Sequence, residues 1–389
     1  MHCAFVPFCG TLRPMLRIAI IGGGIGGLTT AIALRQVGFE PEVYEQAPAL
    51  LDVGAAIAIW PNAMRVLVRL GLAGKILEKA GVMEEIRWLD QKGWLINRVS
   101  ISETSEDRKV PAVALHRADL QNTLVHALPP SSIHLGNTLV DYTPTGDKLI
   151  ANFANGHSIE ADFLIGADGI HSRVRAQFIN DGEPVHRGYN VWRGISPAVP
   201  TAIPAATAIE IHGRGKRFGI GPVGLGRVGW WASANTGAGT DELSYLFHGW
   251  YPPVLELIEA TPTSSILKTS AFDRPANKSW GSGRMTLLGD AIHPTTPNLG
   301  QGGCLAMEDA MVLARCFRTY GPSEEALRKY ERRRYRRTTT VSRYSRYYGS
   351  VGQWQNIWAR GLRKTTLALV PEALARRLMQ IVFDYDATA

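Results

Sequence analysis

Five glycines, Gly22-Gly23-Gly24 and Gly26-Gly27, follow the apolar run Ile18-Ala19-Ile20-Ile21 and precede a helical pattern from Leu28 to Gly38. The spacing Gly22-x-Gly24-x-x-Gly27 permits a tight strand-to-helix turn. Its backbone N–H groups, at the positive end of the helix dipole, can approach a pyrophosphate. Glu45 closes the next strand-like run, Glu42 to Tyr44, where a carboxylate can accept hydrogen bonds from the hydroxyl pair of a ribose. Together these residues predict dinucleotide binding on a βαβ unit. The same spacing recurs at Gly224-x-Gly226-x-x-Gly229, but there it leads into Trp230-Trp231-Ala232-Ser233, a strand pattern. That copy predicts a hairpin turn with no helix dipole to offer a phosphate.

Two further acidic turns follow strand-like runs. Asp168-Gly169-Ile170-His171-Ser172-Arg173-Val174-Arg175 comes after the alternating stretch Ser158 to Ala167. Gly289-Asp290-Ala291-Ile292-His293 comes after Arg284 to Leu288 and runs on to Gly300-Gln301-Gly302-Gly303. Read singly, an Asp-Gly pair is a turn, His171 and His293 are structural histidines, and Gly-Gln-Gly-Gly is a helix start. Cys3, Cys9, Cys304 and Cys316 form no CxxC pair and have no His-x-x-x-His partner, so no metal site is expected and a reducing, cytoplasmic compartment is.

The elements that must position these groups alternate between strand and helix. Helical periodicity covers Pro61 to Leu72 and Arg117 to Leu128, and a helix is expected from Gly302 to Phe317. A parallel sheet covered by helices is the consistent arrangement. Between about Gly188 and Arg274 the texture changes to Trp, Gly and Pro with short alternating runs such as Arg227 to Ser233, which predicts a second, antiparallel region interrupting the first. From Pro322 the chain is helical and basic, and Arg332, Arg333, Arg334, Arg336 and Arg337 read as a solvated helix face. Leu367 to Phe383 is amphipathic enough to cover an apolar surface of this chain or of a partner.

Composition bounds the function. The chain has 389 residues, 45% of them hydrophobic and 20% charged, enough apolar material for a sizeable core and too few charges for a disordered chain. Its net charge of +8 permits an anionic ligand, but the basic residues are not interleaved with aromatic ones as in nucleic-acid readers, and no nucleic-acid partner is expected. The apolar stretch Met15 to Leu34 matches a membrane span in length, yet its five glycines describe a strand, a turn and a helix better than one continuous helix, so no transmembrane segment is expected. Residues 1–15 read as a flexible leader, with Met15 as an alternative start.

In this order, GGGIGG, DGIHSRVR and GDAIHPTTPNLGQGGCLAMEDA, the motifs resemble those of the FAD-dependent single-component aromatic hydroxylases, the class of para-hydroxybenzoate and salicylate hydroxylase, over roughly residues 16 to 340. Within that class the likeness is greatest to the FAD-dependent urate hydroxylase type, through Val53-Gly54-Ala55-Ala56-Ile57, Trp60-Pro61-Asn62, Thr295-Thr296-Pro297 and Gly215-Lys216-Arg217. The resemblance implies an α/β fold. A Rossmann-like FAD-binding domain with a parallel sheet (16–85, 105–187 and 275–335) would be interrupted by a mainly antiparallel β substrate domain (86–104 and 188–274) and followed by C-terminal helices (336–389).

It further implies that Gly22, Gly24 and Gly27 hold the FAD pyrophosphate, Glu45 the adenosine ribose, Asp290 the ribityl chain and Arg117 the flavin, with Asp168 and Gly169 helping to hold FAD. Gly302 and Gly303 would present N–H groups to the flavin pyrimidine edge. Pro297 would lie beside the reacting flavin face, and Arg217 would orient an anionic oxygen or polarise a carbonyl of the substrate. The tyrosine that the urate branch carries falls on Gly229, and the histidine of 6-hydroxynicotinate hydroxylases falls on Ala58.

The implied reaction uses NADH or NADPH and O2 to hydroxylate an aromatic or heteroaromatic small molecule through a C4a-hydroperoxyflavin. A flavin dehydrogenase or reductase on the same fold, and a non-enzymatic flavoprotein, are the alternatives. Trp192, Arg193, Phe218 and Trp231 are expected to line the substrate pocket, between the second domain's sheet and the flavin.

Overall fold

The computed structural model describes residues 16–50, 54–101 and 110–389, so Cys3, Cys9, Met15 and Val53 lie outside the described residues. The glycine turn opens a helix at Ile25–Gln36, three residues earlier than the apolar pattern alone indicates, because Gly24 is extended and serves as its N-cap. Before it, Ile18–Ile21 is buried on both faces, as expected for a parallel strand covered by helices. A five-stranded sheet forms in the order Met285–Leu287, Phe163–Gly166, Ile18–Ile21, Pro41–Tyr44, Ile133–His134, with every pairing parallel. The run Ser158 to Ala167, expected as one strand, is two. Ser158–Ala161 belongs to a three-stranded antiparallel sheet, and the chain breaks at Asp162, whose carboxylate accepts the Arg17 N–H at 2.8 Å.

The second region is a seven-stranded sheet in the order Leu267–Asp273, Val185–Ser196, Arg227–Asn235, Lys216–Gly224, Thr207–His212, Glu85–Asp90, Leu95–Ser100. The repeated glycine spacing is the hairpin turn expected of it. Gly224 pairs with Arg227, and Leu225 and Gly226 between them both have positive φ, as a two-residue type I′ connection requires. One face of this sheet packs on the helix Pro253–Ala260 through Ile209, Ile211, Phe218, Trp192, Trp230 and Leu257. The other faces the parallel-sheet half of the molecule.

Helix Gly302–Tyr320 crosses helix Ile25–Gln36 so closely that a side chain on Gly26 would meet Ala306 and Leu288. The basic segment is one unbroken helix, Glu324–Gly352, and only part of its arginine run is solvated. Arg332, Arg333 and Arg336 are exposed, but Arg334 is fully buried and Arg337 nearly so, because they lie on the helical face that packs against the Gly302–Tyr320 helix. No helix among the described residues is long and apolar enough to cross a membrane. The amphipathic C-terminal segment is two helices, Ile357–Leu369 and Glu372–Phe383. The second covers this chain's own core, with Phe383 stacked on Trp60 at 4.0 Å.

Candidate active site

Four of the segments singled out above leave the parallel sheet at the same edge. The register aligns Ile21 with Gly166 and Tyr44, and Gly166 with Leu287, so Gly22, Asp168, Glu45 and Asp290 all follow the carboxyl ends of adjacent strands. Ligands of open α/β sheets bind outside such an edge.

The three glycines of the first turn have different roles. A side chain on Gly27 would fall on the Gly22 carbonyl oxygen, and one on Gly22, whose φ is +113°, would fall on the Ala167 carbonyl, so these two close the turn on itself. Around Gly24, by contrast, an added Cβ meets nothing within 4 Å. This is the open face onto which the N–H groups of helix Ile25–Gln36 point. The Glu45 carboxylate accepts the Gly23 N–H at 2.6 Å and the Ala47 N–H at 2.9 Å, which fixes it beside the turn with acceptor capacity left over. A Gly24→Ala substitution should therefore leave the melting temperature of the flavin-free protein almost unchanged while weakening dinucleotide binding about tenfold. Thermal melts paired with FAD titration check both halves.

Asp168 accepts the Arg173 N–H at 2.7 Å and the Val174 N–H at 3.2 Å with one oxygen, while its other oxygen is buried without a hydrogen-bond partner. Burial raises its carboxyl above the usual carboxylate range. Asp290 opens toward the Gly302 face, where an added Cβ would sit 3.7 Å from its Oδ1. The protein packed around it raises it too, opposed by His293 and Arg117, which brings Arg117 into the same electrostatic neighbourhood. Arg117 begins the helix Arg117–Val125. One turn on, the Gln121 amide donates to the Gly23 carbonyl at 3.2 Å, joining that helix to the glycine turn. Gly302 and Gly303 start their helix without any side-chain cap, so their N–H groups are free to face a ligand.

On the opposite wall, strand alternation corrects half of the expected pocket lining. Trp192 and Phe218 point into the core behind the seven-stranded sheet, whereas Arg193, paired with Trp231 across the strands, and Arg217 take the face toward the dinucleotide side. Arg217 is 1% exposed and forms an ion pair with Glu210 at 3.0 Å. It also donates to Asn298, the neighbour of Pro297, so Arg217 and Pro297 are joined through one side chain. Pro297 itself is exposed at the start of the turn Pro297–Leu299. At Gly229 a side chain would come within 2.5 Å of Ala56 and Val223, so a tyrosine has no room there, while the space over Gly221 is open.

The FAD binding domain family model matches residues 15–345. The chain belongs to this FAD-binding family. It is 36% identical over 380 residues to the aurachin C monooxygenase/isomerase of Stigmatella aurantiaca, covering 95% of this chain and 99% of that one. It is 32% identical over 367 residues to the FAD-dependent urate hydroxylase of Klebsiella pneumoniae, covering 90% and 95%. Its fold matches Klebsiella pneumoniae HpxO complexed with FAD and uric acid, with a TM-score of 0.90, 29% identity, and coverage of 96% and 97%.

The flavoprotein's residues fit the cofactor its family implies. The face left open at Gly24 and the uncapped N–H groups of Gly302 and Gly303 are what a pyrophosphate and a flavin ring call for, and the unpartnered buried oxygen of Asp168 can accept from a hydroxyl or N–H of the cofactor.

A buried polar network that the sequence reading missed holds the loop from Gly289 to Gln301. Asp309 accepts the Gly289 N–H at 3.0 Å and bonds His293 Nε2 at 2.5 Å. Glu308 accepts from Asn62 at 2.5 Å, and Asn62 donates to Gln301 at 3.0 Å. Arg334 pairs with Glu308 at 2.7 Å and with Asp309 at 2.6 Å, and Arg337 reaches Glu308 at 3.0 Å. The usable signal was the Glu308-Asp309 pair one helical turn and more beyond Gly302. Two carboxylates on a helix that must be buried demand cationic partners, and the arginine run was the available source.

Proposed function

We propose that this flavoprotein is a single-component monooxygenase that uses NADH or NADPH and O2 to place one oxygen atom on an aromatic or heteroaromatic small molecule. The observation that carries the reading is the convergence of the Gly22, Asp168 and Asp290 turns on one sheet edge, facing a wall that carries Trp231, Pro297 and the open space over Gly221. FAD, when bound, supplies electron transfer from the nicotinamide and activation of O2. In this reading the glycine turn and Glu45 hold its adenosine diphosphate half, Asp290 and Arg117 its other half, and Asp168 supports the middle. The N–H groups of Gly302 and Gly303 stabilise negative charge at the helix start. Trp231 and the Pro297 turn would flank a flat ring held against the cofactor and help to keep water from it. A cytoplasmic location fits the two buried free thiols, Cys304 and Cys316, and a ready supply of reduced nicotinamide.

The test is oxidation of NADH and NADPH by the yellow protein with urate, 3-amino-4-hydroxybenzoate, 6-hydroxynicotinate and quinolones under ¹⁸O2, with mass spectrometry of each mixture. Stimulated oxidation with one labelled oxygen atom in the product is the expected result. Stimulated oxidation without label for every ring that stimulates would favour the dehydrogenase alternative.

A further inference from the structure

Two arginines share the face of the seven-stranded sheet that looks toward the flavin side, and their circumstances are opposite. Arg217 is enclosed: Nη1 lies 3.0 Å from Glu210, Nη2 donates to Asn298, and the guanidinium lies 5.1 Å from the Trp231 ring and 5.7 Å from that of Tyr348. Glu210 is equally committed, its second oxygen accepting the Tyr348 hydroxyl at 2.7 Å. The neighbouring His212 is held neutral, because burial pushes it down to about 4. Arg217 Nε is its one guanidinium nitrogen without a hydrogen bond, and it lies against Gly352 on the helix Glu324–Gly352, where an added Cβ would be 2.7 Å from it. With Arg217 1% exposed, an anion arriving there would have to displace the Gly352 backbone or separate Arg217 from Glu210 and leave a buried carboxylate unpaired.

Arg193 lies two strands away in the sheet, directly across from Trp231. It is half-buried, and its side-chain hydrogen bond is to a neutral group, the Thr269 hydroxyl, at 2.9 Å near the sheet edge. No carboxylate perturbs it; burial pulls it below the usual guanidinium range, opposed only by Tyr189. Along its strand it stands between Tyr189, which bonds Asn298 of the Pro297 turn, and Ile195, which pairs with Gly229 beside Ala56. A half-buried cation without a counter-charge, on the sheet face that also carries Trp231, is the complement of a flat ring bearing one anionic oxygen.

We propose that Arg193, rather than Arg217, anchors the substrate, and that the substrate is an aromatic ring presenting a phenolate, enolate or carboxylate oxygen. Arg217 then acts as a positioning residue that braces Asn298 and the Pro297 turn. This inference rests on the monooxygenase reading for its reaction, but not for its test, which reads binding alone.

Benzoate and benzamide, equal in shape and different in charge, serve as probes, titrated into the FAD-loaded protein by their perturbation of the flavin absorbance. Benzoate should bind about 10- to 100-fold more tightly than benzamide, the usual worth of one hydrogen bond to a charged group. Arg193→Gln should erase that ratio with flavin content unchanged, and Arg193→Lys should restore part of it. Arg217→Gln should leave the ratio intact while weakening both probes together. Benzoate binding no tighter than benzamide, or no perturbation by benzoate up to its solubility limit, overturns the proposal, as does an Arg193→Gln variant with the wild-type ratio. Failure of the monooxygenase reading shows separately, as turnover without labelled oxygen.

Discussion

Asp290→Ala yields a protein that purifies largely without flavin and binds added FAD about 100-fold more weakly, while its fold, by circular dichroism, is retained. The carboxylate contributes no hydrogen bond that holds the polypeptide together. It faces the uncapped start of the Gly302–Tyr320 helix and is itself exposed, so the substitution leaves the packing of the apo protein intact. In the flavin-loaded protein, where we propose that Asp290 holds the cofactor, it would remove charge-assisted hydrogen bonds worth about 1.5–3 kcal/mol each. The pH dependence comes from the raised carboxyl. With Asp290 in the proposed role its ionised form is the better acceptor for hydroxyls, so FAD affinity should fall as the pH drops through its raised range. The apo protein moves the other way, since a carboxyl whose value is raised on folding gains stability as it is protonated. In Asp290→Ala this acid limb of flavin affinity is absent. Flavin absorbance after gel filtration and fluorescence titration from neutral to acid pH measure both effects, and full flavin occupancy in the variant would remove Asp290 from the site.

Arg334→Met should cost about 3–5 kcal/mol, a large share of the roughly 5–15 kcal/mol that keeps a domain folded. The substitution leaves Glu308 and Asp309, both fully buried, short of their principal counter-charge. It also acts on the site at a distance. Asp309 holds the Gly289 N–H and Glu308 holds Asn62, which in turn holds Gln301, so both ends of the loop that carries Asp290 and Pro297 loosen together. Urea melts should show a lower midpoint with little change in slope, and flavin should be retained less well; Arg334→Lys should recover part of both. Burial alone would raise the Asp309 carboxyl, but His293 and Arg334 outweigh it and hold the group below its ordinary value. Its contribution is therefore present above the ordinary carboxylate range and lost as pH falls through the lowered one. Without Arg334 the acid-unfolding limb moves to higher pH. A wild-type urea midpoint for Arg334→Met would show that the two carboxylates do not depend on Arg334 and are compensated by Arg337 and His293.

The gathering of the dinucleotide motifs into one candidate site was legible because their geometry is local. A strand followed at once by Gly22-x-Gly24-x-x-Gly27 can turn in few ways, and Glu45, Asp168 and Asp290 each stand within a few residues of a strand end, so position along the chain gave position in space. Gly224-x-Gly226-x-x-Gly229 was separable from the true fingerprint for the same reason, since it leads into the strand Arg227–Asn235 and not into a helix. The substrate wall was not legible to the same degree. Its residues lie on strands whose alternation decides which side chain faces the slot, and adjacent candidates such as Trp192 and Arg193, or Arg217 and Phe218, cannot both face it.

Fold class, cofactor motifs and family were all readable from the chain alone, because they rest on backbone geometry imposed by glycines and on strand ends. Which charges are spent and which are free was settled only by folding. The arginine run looked solvated until the helix faces were paired, and then Arg334 proved to be the buried counter-charge of Glu308 and Asp309. Arg217 looked like a free cation until Glu210, seven residues away on the neighbouring strand, was brought against it. Electrostatic state depends on distance and burial between groups remote in sequence or on different strands, and neither quantity exists until the chain is folded.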